Sequence, residues 1–339
     1  MPYDAKYSWM KLRQKSVFFC LNTQNIPKRN LHGEVFLQDP NLRSLQTNHL
    51  LNGINARNYT LNVLVKPVLK TFHIRGGEFG NWTNEKERQS SLDMAYDAFY
   101  DMAKAVGIRA EDVSLPSLST KGLAIAFGAR GHGNALAHYE QNLEVINLTK
   151  LRGSGSLVHK WGHALDHMIG QVYTSSSVFT TETVSKDIPK SFTNVMEAIQ
   201  FQKGTKNFTS YYRDSSKYGS QTAKTGHGYW TSSCELFTRT FACYVQDRLS
   251  GVNDYLCGHA EANFGTDDDG NDIFAYPRGE EREYINEKFD LLFKDLIREG
   301  IFKPYEVPAA PAAKIKTPKV ESTADYSYCE GANGQLSFF

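Results

Sequence analysis

Two histidines near the middle of the chain have the spacing of a metal-binding pair. His159 and His163 are four residues apart in a segment that reads as a helix. Residues i and i+4 lie on the same helix face, so the two imidazoles can bind one metal ion. Two histidines that merely share a helix face have the same spacing. The spacing alone leaves both interpretations open.

Lys160 stands where zinc-dependent hydrolases with the H-E-x-x-H motif carry a glutamate. In that motif the glutamate is the general base that acts on a water molecule at the zinc ion. A lysine offers no carboxylate, and its ammonium group beside the metal opposes cation binding. The sequence therefore predicts a zinc site with weak or absent hydrolytic chemistry.

Glu235 is the candidate for the third protein ligand that a catalytic zinc site requires. It lies in a predicted helix and is followed by the apolar residues Leu236 and Phe237, which suggests that it faces the core. A core-facing carboxylate is costly unless it is paired or bound to a metal. The alternative is a surface glutamate favoured by the positive end of the helix dipole.

Polar neighbours of these residues have predicted supporting roles. Asp166 is expected to accept a hydrogen bond from a histidine ligand, with a solvated helix surface as the alternative. His167 is excluded as a ligand because it lies about 12 Å along the helix axis from His159. Arg239 is expected to pair with Glu235 at i and i+4, or to contact a substrate carboxylate or carbonyl if Glu235 binds metal.

Two further groups of residues are candidates for substrate contacts. Ala137, His138 and Tyr139 lie in a predicted edge strand, where an extended peptide can add as a further strand. Packing of Tyr139 in the core is the alternative. His227 and Tyr229 lie in the loop before Glu235 and are candidate hydrogen-bond donors to an oxyanion.

The elements that must position these residues are visible in the apolar periodicity. Apolar spacing predicts an α+β fold with three neighbouring antiparallel strands and five helices. The predicted strands are 123–127, 135–139 and 144–148, and the predicted helices are 84–106, 156–169, 191–202, 232–249 and 280–299. Residues 1–70 read as an α+β extension, 71–303 as the domain that carries the site, and the Pro/Ala-rich 304–339 as a disordered tail.

Composition narrows the class of protein. The 339 residues include 38 Lys and Arg against 37 Asp and Glu, and this balance removes the general electrostatic case for nucleic-acid binding. Basic clusters at 11–15 and 28–29 keep nucleic-acid binding open as a weaker alternative.

Five cysteines without a C-x-x-C pair indicate no disulfide framework and favour a reducing compartment. No apolar stretch approaches the roughly 18 residues of a membrane span, so we expect a cytoplasmic protein without membrane contact.

Several ordered motifs are similar to a known family. They are Gly80-Asn81-Trp82, Glu87-Arg88-Gln89, Phe127–Gly131, Ala135–Glu140, Val145–Lys150, Gly155–His159, Trp161–Asp166, Glu235-Leu236-Phe237 and Tyr276–Arg282. Together they resemble the first type of large polyvalent protein-associated domain, found in phage and mobile-element proteins, over about residues 71–299.

The resemblance implies a zincin-like (gluzincin-type) metallopeptidase core, with a small antiparallel sheet packed on the zinc helix. It implies zinc as the cofactor, a protein or peptide substrate, and His159, His163 and Glu235 as the ligands. It also implies an acidic residue at position 160, where this chain departs from the pattern with Lys160.

The expected function is that of a zinc metallopeptidase-like protein with impaired hydrolysis, in the bacterial host cytoplasm if the chain is phage-encoded. The alternatives are a pseudopeptidase that binds a peptide or protein without cutting it, and a nucleic-acid-associated accessory protein. Whether Lys160 is a natural residue or an inactivating change stays open.

Overall fold

The computed structural model describes most of the predicted site-carrying domain. The described residues are 68–81, 84–119, 121–130, 136–149, 153–175, 178–221, 228–258, 260, 263–267, 269–306, 328–330 and 336–338. Almost all of the predicted N-terminal extension, with its basic clusters, lies outside them.

The described residues form six longer α-helices, five of which agree in place with the predicted ones. They are α1 Glu85–Val106, α2 Leu157–Thr174, α3 Lys190–Gln200, α4 Ser210–Gln221, α5 Ser233–Arg248 and α6 Gly279–Arg298. A short helix at 68–72 precedes them. Two 3-10 turns, Ala110–Ser114 and Thr180–Glu182, precede and follow α2. The short helix and α4 are not among the predicted helices. The first N–H groups of α4 are held by the Glu281 carboxylate, at 2.9 Å from Ser210 N and from Tyr211 N.

The first long helix begins and ends as its sequence signals predict. The Asn84 side chain accepts from the Glu87 N–H and the Glu87 carboxylate accepts from the Asn84 N–H, both at 2.9 Å, which completes a capping box. Gly107 ends the helix with φ at 77°, a left-handed conformation that glycine adopts without steric cost.

The strands form a mixed sheet and a separate hairpin. Their bounds are β1 Gly77–Phe79, β2 Ala124–Phe127, β3 Ala137–Glu140, β4 Val145–Leu148, β5 Asn263–Thr266, β6 Asp272–Phe274, β7 Tyr328–Glu330 and β8 Leu336–Phe338. The main sheet has the order β3-β4-β2-β1-β8-β7, and β5 pairs with β6 alone. Six residues of the predicted disordered tail thus lie in strands, and 307–327, 331–335 and 339 lie outside the described residues.

The prediction of a wholly antiparallel sheet is wrong. β3 and β4 are antiparallel, but β2 runs parallel to both β1 and β4. The reason is that β4 lies between β2 and β3. A chain that leaves β2, runs back along the edge in β3 and returns in β4 makes β2 and β4 parallel. Both strands are buried at every residue, as is usual for parallel strands, so no alternation marks their direction in the sequence.

Helix α2 lies at the centre of the molecule, between the sheet and α5. It contacts β3 and β4 on one side and α5 on the other. Trp161 of α2 is fully buried, its ring stacks on Phe241 of α5 with centroids 5.5 Å apart, and its Nε1 donates to the Val113 carbonyl at 2.8 Å. The contacts of this one side chain fix α2 against α5 and the first 3-10 turn.

The cysteine side chains and the helices bear on two of the expectations from composition. Cys234, Cys243 and Cys257 are free thiols and all three are buried. No helix in the described ranges is long and apolar enough to cross a membrane.

Gly162 sets the distance between α2 and α5. A Cβ at this position would lie 3.1 Å from Phe241 Cδ1 and 3.2 Å from Thr238 Cγ2, which is closer than side chains normally approach. The two helices therefore pack at their present distance because residue 162 has no side chain.

We expect Gly162→Ala to lower the free energy of unfolding. Alanine gains roughly 1 kcal/mol of helix propensity over glycine, but overpacking a tight core contact typically costs about 1–3 kcal/mol. Urea unfolding of Gly162→Ala, with Gly251→Ala as the control at a site where a Cβ meets nothing within 4 Å, measures the difference. Adding Thr238→Ser, which removes the Cγ2 atom, should restore part of the loss. An unchanged midpoint for Gly162→Ala would contradict this role for the glycine.

Candidate metal centre

The three predicted zinc ligands meet between α2 and α5. His159 Nε2 lies 3.3 Å from Glu235 Oε2, and His163 Nε2 lies 3.3 Å from Glu235 Oε1. One ligand atom from each residue lies within 4.8 Å of the others, and no other such group of three occurs in the described part of the chain. The i and i+4 histidines therefore share more than a helix face, because a carboxylate from a second helix meets both rings.

Glu235 faces inward, as the apolar residues after it predict. Its exposed fraction is 7%, so the alternative of a surface glutamate is wrong. It lies in the first turn of α5, where every residue from 234 to 245 is buried. The carboxylate has left water, and both imidazoles contact it there.

The protonation states of the cluster suit a metal ion. Burial lowers the pKa of His159 to about 3 and also lowers the pKa of His163, and the charge of Lys160 adds to both shifts. Burial alone would raise the pKa of Glu235, but its contacts with the two histidines hold that pKa well below its usual value. Neutral imidazoles and an ionised carboxylate are the forms in which these side chains bind zinc.

Hydrogen bonds support the two histidines unequally. Thr238 Oγ1 lies 3.2 Å from His159 Nε2, so this hydroxyl is a polar neighbour of the cluster. His163 Nδ1 is buried without a hydrogen-bond partner among the described residues. Zinc-binding histidines usually donate their second ring N–H to an acceptor, and the structure shows none for His163.

Lys160 lies beside the cluster on α2 and is half-buried. Its charge acts on both histidines and on Glu235, and burial lowers the pKa of its own ammonium group. No hydrogen bond or ion pair to another described residue engages that ammonium group. A positive charge therefore stands at the position where H-E-x-x-H sites have a carboxylate.

Asp166 holds a turn rather than a histidine. Its carboxylate accepts from the Thr181 backbone N–H at 2.9 Å and from the Thr181 hydroxyl at 2.7 Å, and its carbonyl accepts from the Thr180 hydroxyl. Burial raises its pKa to about 7. The predicted hydrogen bond to a histidine ligand is not among its contacts, because Asp166 points toward the second 3-10 turn.

Arg239 does not pair with the Glu235 carboxylate, contrary to the sequence expectation. Its Nε donates to the Glu235 backbone carbonyl at 3.1 Å, and Nη2 donates to the Trp230 carbonyl. The guanidinium carbon lies 5.4 Å from the Tyr211 ring centroid and 5.2 Å from the Trp230 ring centroid. Arg239 is 3% exposed, so its guanidinium group has a structural role and is not accessible to a substrate.

The predicted substrate strand is β3, which forms one end of the main sheet and contacts α2. The Tyr139 hydroxyl lies 2.9 Å from His167 Nδ1, one turn beyond His163. Burial raises the pKa of Tyr139, so its hydroxyl stays protonated. Ala137 is buried and points to the same face as the half-buried Tyr139, whereas His138 lies on the opposite face of the sheet, 3.2 Å from Glu140. His167 thus anchors the strand and, as expected, is not part of the metal cluster.

Of the two loop candidates, Tyr229 lies at the site and His227 lies outside the described residues. Partial burial and the nearby Glu235 carboxylate raise the pKa of Tyr229, so its hydroxyl stays protonated. Its side chain is 48% exposed and its ring meets Trp230 edge to face at 5.2 Å. An exposed phenol beside a candidate metal ligand fits a hydrogen-bond donor to a bound carbonyl, and that role stays a prediction.

Sequence reasoning missed two neighbours of the cluster. Phe179 packs its ring 5.5 Å from the His163 ring, and Thr238 contacts His159. Thr238 is three residues after Glu235 on the same helix face, which is a spacing signal that could have identified it. Phe179 precedes a 3-10 turn in a segment without apolar periodicity, so no spacing in the sequence identifies it.

A comparison with known protein families finds a match over part of the chain. Residues 221–300 match the family model of Large polyvalent protein-associated domain 1. The match confirms the predicted resemblance over α5 and α6 and includes Glu235, but it is narrower than the expected 71–299 and does not reach the two histidines. No curated protein and no solved structure matches the chain.

The buried, neutral histidines predict zinc binding that persists in mild acid. For two exposed imidazoles with ordinary pKa values near 6.5, protonation between pH 7.5 and pH 5.5 would weaken zinc binding by about 100-fold. Because burial lowers the pKa of His159 to about 3 and also lowers the pKa of His163, we expect the weakening from ligand protonation to stay well below about 100-fold. Competition titrations with a chromophoric chelator at the two pH values measure this, and a loss near 100-fold would contradict the neutral state of the two imidazoles.

Proposed function

We propose that this chain is a zinc-binding protein with the scaffold of a metallopeptidase and low hydrolytic power. The observation that carries the proposal is the convergence of His159, His163 and Glu235 from two packed helices. Two histidines and one carboxylate are a donor set of catalytic zinc sites, which leave a further position open. A bound zinc ion would polarise a substrate carbonyl and activate water.

The surroundings of the cluster support a peptide as the molecule that binds. β3 lies at the end of the sheet beside α2, and among the described strands it pairs on one side only, with β4. An extended segment could add to its second side through backbone hydrogen bonds. Tyr229 would then donate its hydroxyl to the substrate from the α5 side of the cluster.

Low hydrolytic power follows from residue 160. A carboxylate there would accept a proton from water and pass it to the leaving amine, a contribution typically of about 10²- to 10⁴-fold. The Lys160 ammonium cannot accept a proton, and its charge repels a dication. The same residue therefore lowers both the expected rate and the expected metal affinity.

A binding module without catalysis is the second candidate. Lys160 and the open side of β3 both favour it, since neither peptide pairing nor metal binding needs a general base. The nucleic-acid alternative depends on the basic clusters near the N-terminus, which lie outside the described residues, and it stays a prediction from sequence.

The metal assignment predicts a difference between two histidines on the same helix. His163→Ala should abolish most zinc binding, because it removes a ligand, whereas His167→Ala should leave about one zinc per chain. Elemental analysis of proteins purified without chelator gives the stoichiometry, and circular dichroism shows whether each variant is folded. Equal zinc loss in two folded variants would mean that the assigned face of α2 is wrong.

Replacement of Lys160 by glutamate tests the hydrolase scaffold. We expect Lys160→Glu to bind zinc more tightly and to cleave labelled casein or its own linker near 304–320, whereas the Lys160 protein is inert or slow. Lys160→Gln is the matched control, because it removes the charge without adding a base. Time courses with zinc and with chelator separate metal-dependent cleavage from contamination. A zinc-loaded Lys160→Glu protein that cuts neither casein nor itself would favour the binding module.

A further inference from the structure

The second 3-10 turn, Thr180–Glu182, lies against the metal cluster and is firmly attached to α2. The Asp166 carboxylate takes both the N–H and the hydroxyl of Thr181, and the Thr180 hydroxyl bonds the Asp166 carbonyl. Just before the turn, the Val178 carbonyl oxygen lies 2.6 Å from where a Cβ on Gly170 would be. The absence of a side chain at Gly170 therefore allows the turn to approach the helix.

The residue at the start of this turn places it beside a predicted ligand. The Phe179 ring lies 5.5 Å from the His163 ring and 6.2 Å from the His167 ring. The turn also contacts α5, the helix that carries Glu235. It thus touches both helices that supply the cluster.

Glu182 is the acidic residue of this turn, and its side chain is exposed. Its negative charge acts on His163 of α2 and on Cys234, the residue before Glu235 on α5. Within the described part of the chain, no ion pair or side-chain hydrogen bond engages its carboxylate. Glu182 therefore presents an uncompensated negative charge to the junction of the two helices from the solvent side.

From this arrangement we propose that Glu182 is an outer carboxylate of the metal centre, which offsets the charge of Lys160 and so helps to retain a divalent cation. The inference rests on the proposed metal site and adds to it a residue outside the three ligands. Its carboxylate is not one of the atoms within 4.8 Å that form the cluster, so it acts through its charge and not as a ligand.

The charge balance shows why such a group matters. A dication with Glu235 and Lys160 leaves a net charge of +2 at the site, and Glu182 reduces it to +1. Opposite charges several ångströms apart at a protein surface interact by about 1 kcal/mol or more per unit charge, which corresponds to several-fold in affinity. The effect must weaken as salt screens the exposed carboxylate.

The test is zinc affinity, measured by competition with a chromophoric chelator at low ionic strength. We expect Glu182→Gln to bind zinc about 3- to 10-fold more weakly than the unaltered chain, and 1 M salt to remove most of the difference. Glu182→Asp keeps the charge and should keep most of the affinity. Glu287→Gln is the matched control, since Glu287 is exposed on α6 and its replacement makes the same change in net charge.

The outcomes separate this inference from the proposed function. Zinc binding by the unaltered chain that Glu182→Gln leaves unchanged would overturn the role of Glu182 alone. Equal weakening by Glu182→Gln and Glu287→Gln would also overturn it, because the effect would then be one of net charge. A folded, unaltered chain that binds no zinc would overturn both proposals. Thermal unfolding without zinc checks that the variants are folded.

Discussion

The close contact between α2 and α5 is the constraint on which the metal centre depends. His159 and His163 belong to one helix and Glu235 to the other, so the 3.3 Å distances between them exist only at this helix separation. Gly162 allows the separation, and the stacking of Trp161 on Phe241 holds it. The same contact moves Thr238 to within 3.2 Å of His159. The packing of α2 on α5 therefore also brings the three residues of the site together.

Burial of the charged Glu235 carboxylate costs free energy, and the other members of the cluster offset only part of that cost. An ionised glutamate that is 7% exposed has lost most of its hydration, and two neutral imidazoles return only part of that energy. A dication would compensate the charge far better than ring N–H groups do. The Lys160 ammonium would repel the ion, although the same charge lowers the pKa of both histidines and so helps to keep them neutral. The site thus combines a donor set suited to a metal with a neighbour that opposes it.

Local signals in the sequence predict the helices well and the two-helix site in part. The capping box at Asn84 and the i and i+4 histidines need only local geometry, and both are present. The parallel pairing of β2 with β4 could not be predicted from the sequence. No local pattern shows in which order the chain places its buried strands in the sheet. Helix α4 has a polar sequence and takes its N-terminal cap from Glu281, about 70 residues away. The expectations for Arg239 and Asp166 are wrong for a related reason, because the Trp230 carbonyl and the Thr181 turn lie outside the helices that carry these two residues.

The hydrogen bond between Tyr139 and His167 joins the edge of the sheet to the helix that carries two of the cluster residues. His167 is one turn from His163, and both rings pack on Phe179. A strand that pairs with β3 and an ion held at His163 would therefore act on the same rigid helix. Any such coupling is reciprocal: if the ion raises the affinity for the strand by some factor, the strand raises the affinity for the ion by the same factor. Peptide and metal would then behave as mutual effectors, whether or not a bond is cut.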